Sequence, residues 1–141
     1  MTRKRILNPD TVSRPIGDYS QAVRAGDLLF ISGQVALDRD GRFVGRNDPQ
    51  AQTRQIFQNI DSILAAAGGT IDDIVKLTAL LTDMRDRQAC ADARREWIPR
   101  DFPAMMLCEV SRLAIPDARI EVEAVALLRR HPSRASRGRR P

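Results

Sequence analysis

The stretch that decides the fold is FPAMMLCEV, at residues 102–110. From Ala104 onward it carries apolar side chains at both odd and even positions, and residues 119–128 do the same. Because successive side chains of a strand point to opposite faces of a sheet, both segments are predicted to be strands that are apolar on both faces. A large uncovered apolar face is rare in a monomer, so we expect a second copy of the chain to cover it.

Outward from these strands, runs of β-prone residues alternate with apolar residues at helical spacing. Asp48 followed by Pro49 is typical of a helix start, and Gly68 with Gly69 of a helix end. The predicted elements are a hairpin over residues 19–32, further β-structure over 34–44, a helix over 49–67, a strand over 74–82, a helix over 86–98, and strands over 104–113 and 119–128. This order predicts an α+β fold, one mixed sheet with two helices packed on one face.

The chain has 141 residues and a formal charge of +5, but the charge is concentrated at one end. Residues 129–141 contain six arginines and no acid, whereas the rest of the chain is close to neutral. With almost no apolar side chains, this segment cannot offset its ordering entropy by burial. We therefore predict one domain over residues 1–128 and a basic disordered tail over residues 129–141, with weak nucleic-acid contact through the tail as its alternative role.

The two cysteines, Cys90 and Cys108, have no metal-ligand spacing, and the single histidine, His131, lies in the tail. We expect neither a metal site nor a catalytic triad with histidine. No apolar run approaches the roughly 18 residues that cross a bilayer, so no membrane association is expected. Without a secretory segment after the basic N-terminus, a reducing cytoplasm is the expected setting.

Four blocks in order resemble the Rid family (reactive intermediate deaminases, also called YjgF-like or endoribonuclease L-PSP proteins). The blocks are GDYSQAV at residues 17–23, LFISGQ at 29–34, FPAMMLCEV at 102–110 and IEVEA at 120–124. The resemblance runs from about Asn8 to Leu128. It implies the chorismate-mutase-like fold and a homotrimer whose sheets face inward, with small-molecule clefts between subunits.

The resemblance also implies a chemistry. In active members a small imino or enamine acid, such as 2-aminoacrylate, is hydrolysed to a keto acid and ammonia without a metal or organic cofactor. An arginine after the Phe-Pro-Ala run binds the substrate carboxylate, and a glutamate on the last strand handles protons.

Carried over by position, Glu121 corresponds to this catalytic glutamate. Tyr19, Ser32 and Gly33 correspond to substrate-binding residues that line the cleft. Met105 stands where the arginine is expected, and a thioether cannot pair with a carboxylate. The loss of such a pair from a shielded site costs about 2 to 5 kcal/mol, so weak or no activity on 2-aminoacrylate is expected.

Two other departures accompany Met105. Asp18 replaces a common proline, and Ala91 stands near the position of a common asparagine on the second helix. Arg119, and less so Arg112, are candidates to replace the missing cation.

Each assignment has a plainer alternative. Glu121 can be a strand carboxylate on a solvated face, Tyr19 a packing residue with a satisfied hydroxyl, and Met105 a filler of core or cleft. Function stays open in the same way. The chain either hydrolyses an imine, an enamine or a related C–N compound, or is a non-catalytic trimer that binds a small ligand. The third hypothesis is an RNA-binding protein or endoribonuclease. It is less favoured because the sequence lacks an aromatic platform on which RNA bases could stack.

Overall fold

The computed structural model describes residues 4–128 and contains one six-stranded sheet and two helices. The predicted tail, residues 129–141, lies outside the described residues. The elements are β1 (Arg5–Leu7), β2 (Ala22–Ala25), β3 (Leu28–Gln34), α1 (Pro49–Ala66), β4 (Ile74–Leu81), α2 (Arg87–Arg95), β5 (Ala104–Glu109) and β6 (Ile120–Leu127).

The strand order in the sheet is β1-β2-β3-β6-β4-β5. All neighbours are antiparallel except β4 and β5, which run parallel because α2 connects them. The α+β prediction is confirmed. Within residues 4–128, neither helix is long and apolar enough to cross a membrane.

Helix α1 supplies the centre of the core. The Asp48 carboxylate accepts the Ala51 N–H at 3.0 Å, and Pro49 occupies the first turn, as the sequence predicts. The helix ends before Gly68, whose φ of +82° is a conformation that glycine adopts without strain. Its apolar stripe packs on the sheet and is almost fully buried: Ile56, Phe57, Ile60, Ile63 and Leu64.

Helix α2 is shorter than the predicted 86–98. Residues 84–86 form a 3₁₀ turn before it, and Asp86 makes no capping hydrogen bond. Its carboxylate instead pairs with the Arg119 guanidinium, at 2.6 Å and 3.1 Å. This pair ties the start of α2 to the start of β6. After Arg95, Pro99 prevents a regular continuation.

The two faces of the sheet differ in cover. On β6, Val122 and Ala124 face the helices and are buried, whereas Glu121 and Leu127 face the open side. The open side is nevertheless apolar, since Phe30, Met106 and Leu127 are 46%, 51% and 49% exposed. The prediction of strands that are apolar on both faces is confirmed.

The strands differ from the sequence prediction at four places. Residues 35–44, predicted as further β-structure, contain only an isolated β-bridge between Leu37 and Phe43. Strand β1 was not predicted. Strand β2 begins only at Ala22, and the Gln21 N–H before it donates to the Asn8 side chain (Oδ1) at 2.8 Å. Strand β5 ends at Glu109 because its partner β4 ends at the paired residue, Leu81, and the ladder stops there.

Candidate functional site

Four of the five predicted site residues lie together on the open side of the sheet. They line a cavity of about 520 Å³, here called the Glu121 cavity. Its walls are the loop before β2, the C-terminal end of β3, the loop before β6 and the start of β6. The lining residues are Ile16, Gly17, Tyr19, Ser32, Gly33, Val35, Ala114, Ile115, Glu121 and Glu123.

A buried amide chain positions the loop that carries Tyr19. Gln34 donates from Nε2 to Gln21 Oε1 at 2.8 Å, and Gln21 Nε2 donates to the Ser13 carbonyl at 2.7 Å. Both glutamines are almost fully buried, so water does not compete for these hydrogen bonds, and they hold the loop against β3. Tyr19 itself stays 45% exposed, and its hydroxyl accepts the Ile16 N–H at 3.3 Å.

Ser32 is less available to a ligand than Tyr19. Its hydroxyl donates to the Ser20 carbonyl at 2.6 Å, and its N–H donates to the Gln21 carbonyl at 3.0 Å. Its hydroxyl can still accept a hydrogen bond, because a hydroxyl oxygen has two lone pairs. Ser32 therefore holds the loop and can act as an acceptor toward a ligand.

Glu121 is brought into the cavity by an irregularity in the pairing of β3 with β6. The register shifts between Ile31 and Gln34, and Gly33 then lies directly against the Glu121 side chain. A Cβ placed on Gly33 would overlap the carboxylate. The absence of a side chain at Gly33 thus gives the carboxylate its place, as glycines in strands often do beside a ligand site.

Burial and a neighbouring charge change the pKa of this carboxylate. Desolvation raises the pKa of Glu121 above its usual value, and the nearby Glu123 charge raises it further. Within residues 4–128 no hydrogen-bond donor pairs with Glu121. A half-buried carboxylate with a raised pKa and no structural partner is suited to taking and returning protons.

Gly33→Ala is expected to disable the site while leaving the fold intact. The backbone conformation of Gly33 is one that other residues also adopt, since its φ is not positive. The free energy of unfolding should therefore change by less than about 1 kcal/mol. The new methyl group, however, should displace the Glu121 carboxylate and lower any hydrolytic rate at least about tenfold. Thermal unfolding and rate measurements on the same preparation check both parts.

Gly17→Ala is the matched control. It adds the same methyl group to the same cavity, where its Cβ would lie 3.6 Å from the Tyr19 ring, an ordinary contact. Its rate should stay within about threefold of the wild type. Equal losses in both variants would contradict the specific overlap at Gly33.

Met105, the fifth predicted site residue, lies on the other side of the sheet. It pairs with Leu77, which pairs with Ala124, and all three side chains face the helices. Met105 borders a second cavity of about 320 Å³ between α2 and the sheet, here called the Met105 cavity. A single chain therefore does not bring Met105 to Glu121.

The sequence analysis missed a cation beside Met105. Arg94, on α2, donates from Nη1 to the Met105 Sδ at 2.7 Å and lines the same cavity. The two arginines named as candidates lie elsewhere. Arg119 is held by Asp86, and Arg112 lies exposed in the loop after β5. The helical period contained a signal for Arg94, since it follows the buried Cys90 by four residues and therefore lies on the same face of α2.

Neither cavity resembles a metal site. Among the residues that the structure describes, no three His, Cys, Asp or Glu side chains are grouped closely enough to hold a metal ion. Cys90 lines the Met105 cavity as a free thiol, and burial raises its pKa, so it is a poor nucleophile at neutral pH.

Comparisons with known proteins place this architecture in a family. Residues 11–128 match the family model described as Endoribonuclease L-PSP. A RutC family protein of Pyrococcus horikoshii is 40% identical over 123 residues, which cover 87% of this chain and 97% of that protein. A mite protein from Dermatophagoides farinae, named 2-iminobutanoate/2-iminopropanoate deaminase, is 29% identical over 91% of this chain and 99% of its own.

A solved structure agrees with the fold. The crystal structure of a Rid family protein from Yersinia pestis superposes with a TM-score of 0.84 at 34% identity, covering 89% of this chain and all of the other. The matched region includes every described strand from β2 to β6 and both helices. The chain therefore belongs to the endoribonuclease L-PSP family, the family of the Rid and RutC proteins.

Proposed function

We propose that this protein hydrolyses a small imine or enamine to a carbonyl compound and ammonia, with Glu121 as the residue that moves protons. The observation that carries the proposal is the half-buried Glu121 carboxylate, set against Gly33 in an open cavity with its pKa raised by desolvation. The deaminase name of the mite relative supports the same reaction class.

The reaction requires one water and no net proton change. Water adds to the imine carbon as a C–O bond forms, and Glu121 accepts a proton from that water. The same carboxyl group returns this proton to nitrogen, which gives a carbinolamine. It then moves the second proton from the carbinolamine hydroxyl to nitrogen as the C–N bond breaks, the C=O bond forms and ammonia leaves. A carboxyl group whose pKa lies closer to neutrality performs both transfers better than one with an ordinary pKa.

The proposal includes a homotrimer with inward-facing sheets. The open face of the sheet exposes Leu28, Phe30, Met106 and Leu127 together, and a neighbouring copy would remove this apolar surface from water. Strand β5 lies at the edge of the sheet, so the Met105 cavity beside it borders any neighbour that packs there. We infer that the Met105 cavity of one subunit and the Glu121 cavity of the next form one cleft.

Glu121 needs no metal or organic cofactor for this reaction. A cytoplasmic setting fits the two free cysteines. A non-catalytic trimer that binds the same class of ligand is the alternative, and it predicts binding without turnover.

The test begins with mass and turnover. Light scattering at micromolar concentration should give three times the chain mass of 15.8 kDa. Imines generated in situ by an amino-acid oxidase should then be hydrolysed faster than they decay unaided, with 2-aminoacrylate among the weakest substrates. A monomer would refute the shared cleft, and ligand binding without turnover would favour the alternative.

A further inference from the structure

The Met105 cavity has a charged mouth and an apolar floor. The residues at its mouth include Arg87, Gln88 and Arg95, all exposed, whereas Phe57, Leu77 and Val122 at its floor are at most 2% exposed. No aspartate or glutamate lines it. A cavity of this kind favours a ligand with an anionic end and an apolar body.

Arg94 lies between these two zones of the cavity. Within residues 4–128, no acidic side chain lies within salt-bridge distance of its guanidinium, and its hydrogen bond goes to the Met105 thioether at 2.7 Å. A thioether sulfur is a weak acceptor, and a guanidinium has five N–H donors. Most of its bonding capacity is therefore open to a ligand.

The neighbouring arginine behaves differently. Arg95 lines the same mouth but is exposed and pairs with Asp92 at 2.8 Å. Arg94 is half-buried. Desolvation is the larger cause and repulsion from Arg95 the smaller one that lower the pKa of its guanidinium from the usual value. It remains protonated at neutral pH, so its charge is partly desolvated without an anion to compensate.

We propose that Arg94 binds the carboxylate of the ligand and that the apolar floor of the Met105 cavity receives the ligand's side chain. The arginine at this site thus comes from α2 instead of from β5, where Met105 stands. The inference rests on the proposed function for the claim that the bound acid is a substrate, and the substrates are then 2-imino acids with a branched or larger apolar side chain. The smaller 2-aminoacrylate leaves the floor unfilled.

Binding of a stable product analogue tests the site without turnover. Isothermal titration with 4-methyl-2-oxopentanoate, its neutral amide, and pyruvate should rank the branched acid first. Arg94→Gln should weaken binding of the branched acid at least about tenfold, with little change for the amide, because a charged hydrogen bond is lost. Arg94→Lys should lie between the two.

Arg54→Gln is the matched control, since it removes the same charge from an exposed arginine that pairs with Glu96 outside the Met105 cavity. It should change the affinity for the branched acid by less than about threefold, because an exposed paired charge contributes little. The inference is overturned if Arg94→Gln binds the acid as tightly as the wild type does, if Arg54→Gln loses as much, or if the wild type binds the acid no better than the amide.

Turnover separates this inference from the proposed function. Acid binding that depends on Arg94, without hydrolysis of the leucine-derived imine, would sustain the anion site and refute the deaminase proposal. Hydrolysis that proceeds equally well in Arg94→Gln would support the deaminase proposal and refute the anion site.

Discussion

Glu121→Gln should lower the hydrolysis of the leucine-derived imine by about a hundredfold or more, since general acid–base catalysis contributes about 10²- to 10⁴-fold. The amide keeps the size of the side chain and its place beside Gly33 but cannot exchange protons with water and nitrogen. Binding of 4-methyl-2-oxopentanoate should change little, because we assign the carboxylate contact to Arg94. Steady-state rates and titration on the same variant check the two expectations.

The stability of the same variant gives its control. The folded-state pKa of Glu121 is raised, so the folded protein binds more protons than the unfolded chain and this residue lowers stability as pH rises through its pKa. Glu121→Gln should therefore unfold at an equal or higher temperature than the wild type at pH 7, with the advantage shrinking toward pH 4. A variant that is less stable at pH 7 would contradict the desolvated carboxylate.

The second large effect is a rescue. In the Arg94→Gln background, Met105→Arg should restore affinity for a 2-oxo acid by at least about tenfold, because the cation returns to the same cavity from the strand. In the otherwise unchanged chain, Met105→Arg places a second guanidinium against Arg94 and should give little gain. Titration of the single and double variants forms a cycle that measures the coupling directly.

Two outcomes of this cycle would contradict the assignment. A single Met105→Arg chain that gains tenfold while Arg94→Gln loses nothing would mean that Arg94 takes no part. Failure of the double variant to recover, with its fold intact by circular dichroism, would mean that the two positions do not serve the same ligand.

Local patterns in the sequence were sufficient for most of the fold. The cap at Asp48, the helical period of α1 and the apolar alternation of β4 each depend on neighbouring residues, and the structure contains all three. The errors arise where contacts between residues distant in the sequence decide the structure. By strict alternation Val75 would share the buried face of Leu77, Ala79 and Leu81, but the register of β4 against β6 shifts between Ile74 and Lys76, and Val75 is 43% exposed.

The candidate site was predictable only in part, for a related reason. Tyr19, Ser32, Gly33 and Glu121 fall in blocks whose order carries the resemblance, and the structure brings them together. Arg94 lies outside those blocks on a polar helix, where an arginine is ordinarily solvated. Only the packing of α2 against β5 places its guanidinium on the Met105 sulfur.

The central claim is that one cleft takes Arg94 from one subunit and Glu121 from the next. Mixing tests it most directly: Arg94→Gln and Glu121→Gln chains are unfolded together in equal amounts, refolded, and assayed on the leucine-derived imine at limiting substrate. If adjacent subunits supply the two residues, random trimers contain both intact residues in about a quarter of their clefts, and activity should rise to about a quarter of the wild-type value. Activity no greater than the mean of the two parent variants, in refolded trimers of the correct mass, would contradict the shared cleft.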